Sequence, residues 1–422
     1  MVRRILTEKA KKTNELLYHM LLCLAVLIAV FAVILQHDMS LVTGFWKIQM
    51  GHAGLITDPI CTGGVGAALM NAALMLFLST LLVRVQGMPF TGLSVACLFM
   101  MAGFSLLGKN IINSLPILLG GFLYSRYKDE PFAKYTYLTL FGTCLSPMVS
   151  YIMLHLHTGL RYVFMVIAGT TIGFVLPAVS GHTVRLHQGY NLYNVGTSAG
   201  FVGLAAVSIL KGFGMEFKTV TTWSTEYDLS LSILVLLIIA GLFSTGVILG
   251  CRSWKGYKRI LTHSGRAVAD FLALEGLGPT FVNMALMGLL GLTYLHIVRV
   301  PLNGPLLCCL FAMIGFGSFG KHLRNVIPVM LGGIIAALCM KEISLTSPGV
   351  LLATLLCTGL APIAGQFGPF WGMAAGGLHM AIVQNTSYLH GGLNLYNNGF
   401  SAGLTCVIMI PLIEALKSEP ED

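Results

Sequence analysis

Long apolar runs, separated by short polar stretches, are the main pattern along this chain. Residues 18–36, 62–84, 133–154 and 230–250 are examples. As helices, each would cross a hydrocarbon core of about 30 Å. A water-soluble helix of this length needs a polar face, and these runs have none. The pattern predicts an all-α, polytopic protein embedded in the lipid bilayer.

The polar positions between the apolar runs occur twice, in the same order. Four blocks match between the two halves of the chain: Gly64-x-Gly66-x-x-x-x-Asn71 with Gly276-x-Gly278-x-x-x-x-Asn283; Gly108-Lys109-x-x-x-Asn113-x-x-Pro116 with Gly320-Lys321-x-x-x-Asn325-x-x-Pro328; Thr143-x-Leu145-x-Pro147 with Thr358-x-Leu360-x-Pro362; and His187-x-Gly189-x-Asn191-Leu192-Tyr193-Asn194 with His390-x-Gly392-x-Asn394-Leu395-Tyr396-Asn397. This order predicts a duplicated and fused unit, 18–210 and 230–414. The other residues form an N-terminal segment (1–17), a linker (211–229) and a C-terminal tail (415–422).

Each copy contains roughly seven apolar segments, and an odd number means that the second copy enters the membrane from the opposite side. The predicted segments are 18–36, 62–84, 92–108, 111–125, 133–154, 162–179 and 190–210 in the first copy, and 230–250, 279–297, 302–319, 326–340, 348–367, 369–383 and 393–415 in the second. Basic residues cluster in 1–17 and in 251–266, so both stretches should be cytoplasmic. The pattern therefore predicts inverted repeats, an external linker and two cytoplasmic termini.

Composition supports this class of protein and explains its charge. Apolar residues make up 56% of the 422 residues, whereas Asp, Glu, Lys and Arg make up only 10%; a soluble protein has about 25% charged residues. Basic cytoplasmic loops account for the formal charge of +9, so no nucleic-acid partner is expected. The basic start runs into the first apolar segment without a small-residue cleavage site, which argues against a signal peptide. Short loops suit a prokaryotic cytoplasmic membrane.

Catalytic and metal chemistry find little support in the sequence. The cysteines lie singly or as the adjacent pair Cys308-Cys309, without the C-x-x-C spacing of metal or redox sites. Ser/His/Asp sets, phosphate-binding loops and paired carboxylates on polar loops are also missing from the sequence. We therefore expect neither an enzyme nor a bound metal or cofactor.

The last repeated block is the strongest candidate for a binding site. Its amide side chains lie in apolar surroundings, where an unpaired polar group costs several kcal/mol. We expect these side chains to line a polar site near the membrane midplane, with the tyrosines shaping it. The predicted lining residues are Asn191, Tyr193, Asn194, Asn394, Tyr396 and Asn397. The alternative is that the block forms a helix-crossing contact. The glycines, which lie four residues apart, fit this alternative as well as they fit a site lining.

Two short segments, 111–125 and 326–340, repeat a proline and are either half-helices or re-entrant. Short, interrupted segments at matching positions of two repeats point to a binding site in transporters. Polar residues near these segments are therefore second candidates for the lining. They are Asn71, Asn283, Asn113 and Asn325.

Two repeated pairs of basic residues have competing interpretations. His187 and His390 either orient or gate a solute, or are interfacial histidines with satisfied hydrogen bonds. Lys109 and Lys321 either attract anions or offset helix dipoles at a bend. Snorkelling of such lysines to the membrane interface is the commoner arrangement.

Asp58 and Asp270 occupy corresponding positions ahead of the first repeated block. They are candidates for cation coupling if their segments begin inside a cavity. Proton pumps and antiporters normally keep an ionisable relay at mid-membrane, and no other acidic residue lies in the middle of a predicted segment. The sequence therefore argues against proton antiport.

The repeated blocks resemble a prokaryotic membrane protein family known only as a domain of unknown function. This resemblance extends over nearly the whole chain but brings no activity with it. The string Gln188-Gly189-Tyr190-Asn191, followed by Gly200-Phe201-Val202-Gly203, is more weakly similar to the Gly-Tyr-Asn-x-x-Leu-Val-Gly string of urea transporters. Those proteins also consist of two inverted halves, so the similarity implies a narrow pathway for a small polar solute. Their paired Asn-Pro-Leu motif is missing here and their segments are fewer, so the substrate does not carry over.

Together these patterns predict transport of a small polar solute through a pathway between the repeats, by a channel or uniporter. Amides supply donors and acceptors without fixed charge, which suits an uncharged or zwitterionic solute. A cation-coupled secondary transporter is the alternative, and a membrane scaffold or enzyme is a third class. The expected partners are the bilayer and the solute, with a second copy of the chain as a further candidate.

Overall fold

A computed structural model describes residues 2–156, 158–218, 220–250, 253–341 and 343–417. Most of the predicted C-terminal tail, residues 418–422, lies outside this part of the chain. The described residues are helical and form no strand beyond one isolated bridge between Asp270 and Phe319. The predicted all-α fold class is therefore confirmed.

The first repeat folds into ten α-helices within the described residues. They are α1 (Val2–Leu35), α2 (Met39–Met50), α3 (Pro59–Gly63), α4 (Val65–Val85), α5 (Gly92–Ser105), α6 (Ile111–Tyr127), α7 (Thr136–Gly142), α8 (Ser146–His155), α9 (Arg161–His187) and α10 (Asn194–Gly212). A 3-10 turn at Thr143–Leu145 joins α7 and α8 into one segment.

The second repeat has the same helices in the same order. They are α11 (Asp228–Leu249), α12 (Ser253–Ile260), α13 (Phe271–Glu275), α14 (Leu277–Ile297), α15 (Gly304–Phe316), α16 (Leu323–Cys339), α17 (Pro348–Leu356), α18 (Ala361–Phe367), α19 (Pro369–Val383) and α20 (Asn397–Lys417). Each helix of the first repeat thus has a counterpart ten numbers later. The predicted duplication is visible in the fold as well as in the sequence.

Every predicted apolar segment coincides with a helix or with a joined helix pair. Among the described residues, 9 of these are long and apolar enough to cross a membrane. The short helices α2, α3, α12 and α13 were not predicted, because they carry no long apolar run. Segments 111–125 and 326–340 correspond to α6 and α16, which have 17 residues each and are about 25 Å long at 1.5 Å per residue.

The centre of the fold is the antiparallel pair α5 and α15. Nearly every side chain of both helices is buried. Two glycines allow the close approach: a Cβ on Gly103 would lie 3.3 Å from the carbonyl oxygen of Cys308, and one on Gly315 would lie 2.6 Å from the Cβ of Phe99. Because the two helices come from different repeats, this contact joins the halves at their core.

Equivalent helices run in opposite directions, as inverted repeats require. The side chain of Asn14, near the start of α1, accepts a hydrogen bond of 2.6 Å from the backbone of Phe90. Thr13 and Asn14 share a surface pocket with Leu249 and Gly250 at the end of α11. Helix α1 therefore starts on the face where α11 ends. We call it the basic face, since it carries Lys255 and Arg259 of α12. The opposite face, which carries residues 213–218 and 220–227, is the linker face.

The repeats also meet where α10 crosses α20. A Cβ on Gly196 would lie 2.7 Å from the Cα of Gly399, and a Cβ on Gly399 would lie 2.9 Å from the Cα of Gly196. The two backbones therefore touch at this point, which only glycine permits. The helix-crossing interpretation of the glycines in the last repeated block is the one that the structure supports.

Substitution Gly196→Leu should destabilise the protein, because the added side chain would enter the backbone of α20. Overpacking of this kind costs about 1–3 kcal/mol or more. We expect a lower melting temperature in detergent, measured by thermal size-exclusion analysis. Gly241→Leu is the matched control, because a Cβ on Gly241 meets nothing within 4 Å. Equal melting temperatures for the two variants would contradict the crossing.

The topology can be measured by cysteine labelling of intact cells. The exposed cysteines of the described residues, Cys23, Cys61 and Cys339, are first replaced by serine, together with Cys251, which lies outside the described residues. We expect a membrane-impermeant maleimide to label Lys218→Cys in intact cells and Lys258→Cys only after permeabilisation, because basic loops face the cytoplasm. Labelling of both positions from the same side would contradict the inversion.

Candidate functional site

A cavity of about 620 Å³ opens on the basic face and extends to the junction between the repeats. Its exposed end carries Lys134 and Arg185. Its inner end is formed by Tyr193 and Tyr396, which are each 1% exposed. The cavity therefore leads from one membrane face to the start of the crossing helices α10 and α20.

Five of the residues predicted from the last repeated block line this cavity. They are His187, Asn191, Tyr193, Asn194 and Tyr396. The other three, His390, Asn394 and Asn397, are buried on the far side of the helix crossing and are not among its lining residues. The cavity thus uses the two copies of the block unequally.

In the first copy the polar side chains of the block bond to one another. The His187 Nε2 lies 2.8 Å from the Asn194 Oδ1, and the Asn194 Nδ2 donates to the Ser180 hydroxyl at 3.3 Å. The Asn191 Nδ2 donates to the Thr197 hydroxyl and to the Gly399 carbonyl oxygen, both at 2.9 Å. These amides satisfy the protein's own groups, which leaves little capacity for a solute.

In the second copy the corresponding groups lack partners. The buried atoms without a hydrogen-bond partner in the described part of the chain include Asn394 Nδ2, Tyr396 Oη and Asn397 Oδ1. For Asn394 a sequence difference explains this, because Phe400 stands where the first copy has Thr197, the acceptor of the Asn191 amide. For Asn397 the difference is one of pairing, because His390 bonds to the Gly200 carbonyl oxygen, whereas its counterpart His187 bonds to Asn194.

Lys109 and Lys321 are fully buried, so neither snorkels to the interface. The Lys321 ammonium donates to the Tyr193 hydroxyl at 2.5 Å and to the Thr358 hydroxyl at 2.8 Å. The Lys109 ammonium instead donates to the Met101 sulfur at 3.3 Å. Each ammonium also lies over a phenylalanine ring, Phe104 or Phe316, at 4.9 and 5.1 Å from the ring centroid.

A glycine explains why only Tyr193 reaches its lysine. The Tyr193 ring lies 2.5–2.6 Å from the position that a Cβ on Gly359 would take. In the other repeat the equivalent residue is Cys144, whose buried side chain fills this space. The Tyr396 hydroxyl is accordingly without a partner. The repeated block around Thr143 and Thr358 was noticed in the sequence, but its role in placing the tyrosines was not.

The second candidates, Asn71, Asn283, Asn113 and Asn325, hold the chain breaks that follow α5 and α15. The Asn71 Nδ2 donates to the carbonyl oxygens of Ser105 and Lys109 at 3.1 and 2.8 Å. The Asn283 Nδ2 donates to those of Gly317 and Lys321, both at 2.7 Å. Asn113 and Asn325 belong to the capping boxes of α6 and α16. All four amides position Lys109 and Lys321, and none lines the cavity.

Asp58 and Asp270 are helix N-caps that tie the repeats together. Asp58 caps α3 and also accepts from Ser224 in the linker and from the backbone of Gly304 at the start of α15. Asp270 caps α13 and accepts from the backbone N–H of Gly92, at the start of α5, at 2.9 Å. Their carboxylate oxygens are occupied by protein donors. These contacts support a structural role over the predicted cation coupling.

Linker residues cover the position on the linker face that corresponds to the cavity mouth. Phe217 packs against Gly391, which is the counterpart of Gln188 at the mouth, and against the ring of Tyr151 at 4.7 Å. The Tyr151 hydroxyl also donates to the carbonyl oxygen of Glu216. The sequence placed these residues in the linker but did not indicate that they cover this position.

Charge at the cavity mouth is mostly positive. Lys134 forms an ion pair with Glu130 at 2.5 Å, and hydrogen bonds from Lys134 and Tyr135 lower the pKa of the Glu130 carboxyl. Arg185 forms no ion pair with a described residue. No group of His, Cys, Asp and Glu side chains in the described part of the chain has the arrangement of a metal site.

The chain matches the family described as "Protein of unknown function (DUF1576)" twice, over residues 37–212 and 250–415. It belongs to this family, and its two matches begin after α1 and after α11. No curated protein and no solved structure matches the chain. The predicted resemblance to a duplicated domain of unknown function is confirmed, whereas the similarity to urea transporters stays a prediction.

Substitution Ser180→Val should destabilise the first copy of the block, since it recreates the valine of the second copy. The Asn194 Nδ2 would lose its acceptor, and an unsatisfied buried donor costs about 1–3 kcal/mol. We expect a lower melting temperature in detergent. Ser208→Val is the matched control, because this exposed serine bonds only within its own helix at 2.8 Å. If the two variants have the same melting temperature, the hydrogen bond between Ser180 and Asn194 does not stabilise the block.

Proposed function

We propose that this member of the family transports a small polar solute along a pathway between its two inverted repeats. The observation that carries the proposal is the cavity that ends at Tyr193 and Tyr396, where α10 and α20 cross. Transporters of inverted repeats bind their substrates near the midplane at the repeat interface, next to interrupted helices. The breaks at Lys109 and Lys321 lie beside these two tyrosines.

Closure of one end supports a carrier over an open pore. The cavity is lined from the basic face only, and Phe217 packs over the equivalent position of the linker face. By the positive-inside rule the basic face is cytoplasmic. The arrangement corresponds to an inward-open carrier whose external end is closed.

Symmetric contacts at both ends support alternating access. The backbone N–H of Leu55 donates to the Gly392 carbonyl oxygen at 2.7 Å, and that of Ala267 donates to the Gly189 carbonyl oxygen at 3.0 Å. The loops that make these bonds are counterparts in the two repeats. To change from inward-open to outward-open, each repeat would then adopt the arrangement that the other repeat has in this structure. Carriers built from inverted repeats change state in this way.

Uniport is favoured over cation coupling by the contacts of the two aspartates. Asp58 and Asp270 accept hydrogen bonds from helix N-termini in both repeats, and neither lines the cavity. A coupling site needs oxygen ligands that face the substrate pathway. We therefore propose facilitated transport driven by the gradient of the solute.

Transport should be measured with purified protein in liposomes and a panel of radiolabelled three-carbon solutes: lactamide, alanine and lactate. We expect uptake of at least one above protein-free liposomes, and a loss of at least ten-fold in Val195→Trp, which fills the cavity. Ile209→Trp is the matched control, because Ile209 lies on the same helix and is 60% exposed.

Failure of every panel solute to exceed the protein-free rate would overturn the proposal. Equal uptake by Val195→Trp and the unchanged protein would place the pathway elsewhere. Stimulation of uptake by a sodium gradient would replace the uniporter with a cation-coupled carrier.

A further inference from the structure

We propose that the transported solute is a small monocarboxylate, bound at the inner end of the cavity by the hydroxyls of Tyr193 and Tyr396 and by the ammonium groups behind them. This inference rests on the proposed transport function and names its substrate class. It differs from the uncharged or zwitterionic solute that the repeated amides suggested. Four observations carry it.

The first is that the fold buries two lysines without an acidic partner. Lys109 and Lys321 are both 0% exposed, and none of the ion pairs formed by the described residues includes either one. A buried ammonium without a counter-ion is costly, by several kcal/mol per ion. Ionisable groups held in this way inside a membrane commonly mark substrate pathways, and an anionic substrate supplies the missing charge.

The second is that the hydrogen-bonding capacity of this cluster is unfilled. Tyr396 Oη is buried without a partner, and the Lys109 ammonium has the Met101 sulfur as its acceptor. The Tyr193 hydroxyl accepts from the Lys321 ammonium, which polarises the hydroxyl's own hydrogen. Donors outnumber acceptors here, as recognition of a carboxylate requires.

The third is that the amides cannot supply the recognition. Asn191 and Asn194 line the cavity but are bonded to Thr197, Ser180, His187 and the Gly399 carbonyl oxygen. A neutral solute that depended on these amides would have to break those bonds. By contrast, the Tyr396 hydroxyl has no hydrogen-bond partner among the described residues, and the Lys109 ammonium has the Met101 sulfur as its acceptor.

The fourth is the chemistry of the cavity wall. No Asp or Glu is among its lining residues, so nothing there would pair with the ammonium group of an amino acid. Arg185 stands at the mouth. Apolar side chains, including those of Leu93, Leu138 and Val195, form much of the remaining wall. These features fit a carboxylate with a short carbon chain.

Which lysine assists carboxylate binding depends on which end of the carrier is open. In the inward-open arrangement the carboxylate contacts Tyr193 and Tyr396, and Lys321 acts through Tyr193. When the other end opens, the symmetry of the repeats gives Lys109 and Tyr396 the corresponding role. The ring centroids of Tyr193 and Tyr396 lie 5.1 Å apart, so the anion moves only a short distance from one tyrosine–lysine pair to the other.

The test compares lactate with its neutral isostere lactamide and its zwitterionic isostere alanine. We expect lactate to raise the melting temperature of the detergent-solubilised protein and to be taken up into liposomes. Lactamide and alanine should do neither. Because an anion carries charge, lactate uptake should rise when valinomycin and a potassium gradient make the liposome interior positive.

Lys321→Met and Lys109→Met should each reduce lactate uptake at least ten-fold and abolish the lactate-induced shift in melting temperature. Both variants should fold, because replacing an unpaired buried charge by an apolar side chain of similar volume is neutral or stabilising. Lys128→Met is the matched control, since Lys128 is exposed at the surface beside Tyr124 and Tyr127. Tyr193→Phe should reduce uptake while leaving both lysines in place.

Three results would overturn the inference. Uptake of lactamide or alanine at the rate of lactate would be consistent with transport but would show that a carboxylate is not required. Unchanged lactate uptake in both lysine variants would show that the lysines do not bind the solute. If lactate, pyruvate and 3-hydroxybutyrate all gave no uptake and no melting shift, monocarboxylates would be excluded as substrates. Uptake of lactamide in the same experiment would then show that the proposed transport function still holds.

Discussion

The structure depends on satisfying the polar backbone at two chain breaks buried inside the membrane. After α5 and α15 the chain leaves the helix, and its free carbonyl and N–H groups cannot reach water, so each needs a protein partner. Asn71 and Asn283 bond the carbonyl oxygens at the breaks, and Asn113 and Asn325 close the capping boxes that start the next helices. This is why amides recur at fixed positions in both repeats. With the breaks held, Lys109 and Lys321 are forced into the protein interior, and the central cluster of tyrosines, phenylalanines and ammonium groups follows from that placement.

Small differences between the repeats give a symmetric helical framework an asymmetric cavity. Gly359 lets Tyr193 reach Lys321, whereas Cys144 occupies the equivalent space in the other repeat. The Ser180 hydroxyl accepts from the Asn194 amide, whereas Val383, at the same position of the other copy, has no hydroxyl. The linker has no counterpart on the basic face, and Phe217 closes only its own side. Each difference involves one or a few side chains, so the two faces of the protein differ while the helices that build them remain equivalent.

The sequence predicted the helices better than it predicted the site. Apolar runs are long and self-contained, so they located every membrane segment, and the repeated blocks located the duplication. Basic loops gave the direction of each repeat. The short helices α2, α3, α12 and α13 were missed because their signal is capping, which a run of apolar residues does not show. At the cavity, Tyr193 and Tyr396 form the inner end, whereas the amides of Asn191 and Asn194, which were expected to face a solute, bond to protein groups. Whether a polar residue satisfies the fold or a ligand depends on its neighbours in space, such as Gly359 and Thr358, and these lie far away in sequence.

The two aspartate caps have a consequence for the origin of the chain. Asp58 bonds to the first turn of α15, and Asp270 bonds to the first turn of α5. Each repeat thus adds a hydrogen bond to a central helix that already has its own N-cap in Asn303 or Thr91. These reciprocal bonds need only that the two repeats lie in opposite orientations. Two separate subunits inserted in opposite directions would make the same pair of contacts. Gene fusion fixed that arrangement by making the two orientations part of one polypeptide, and it freed each half to change its side chains separately.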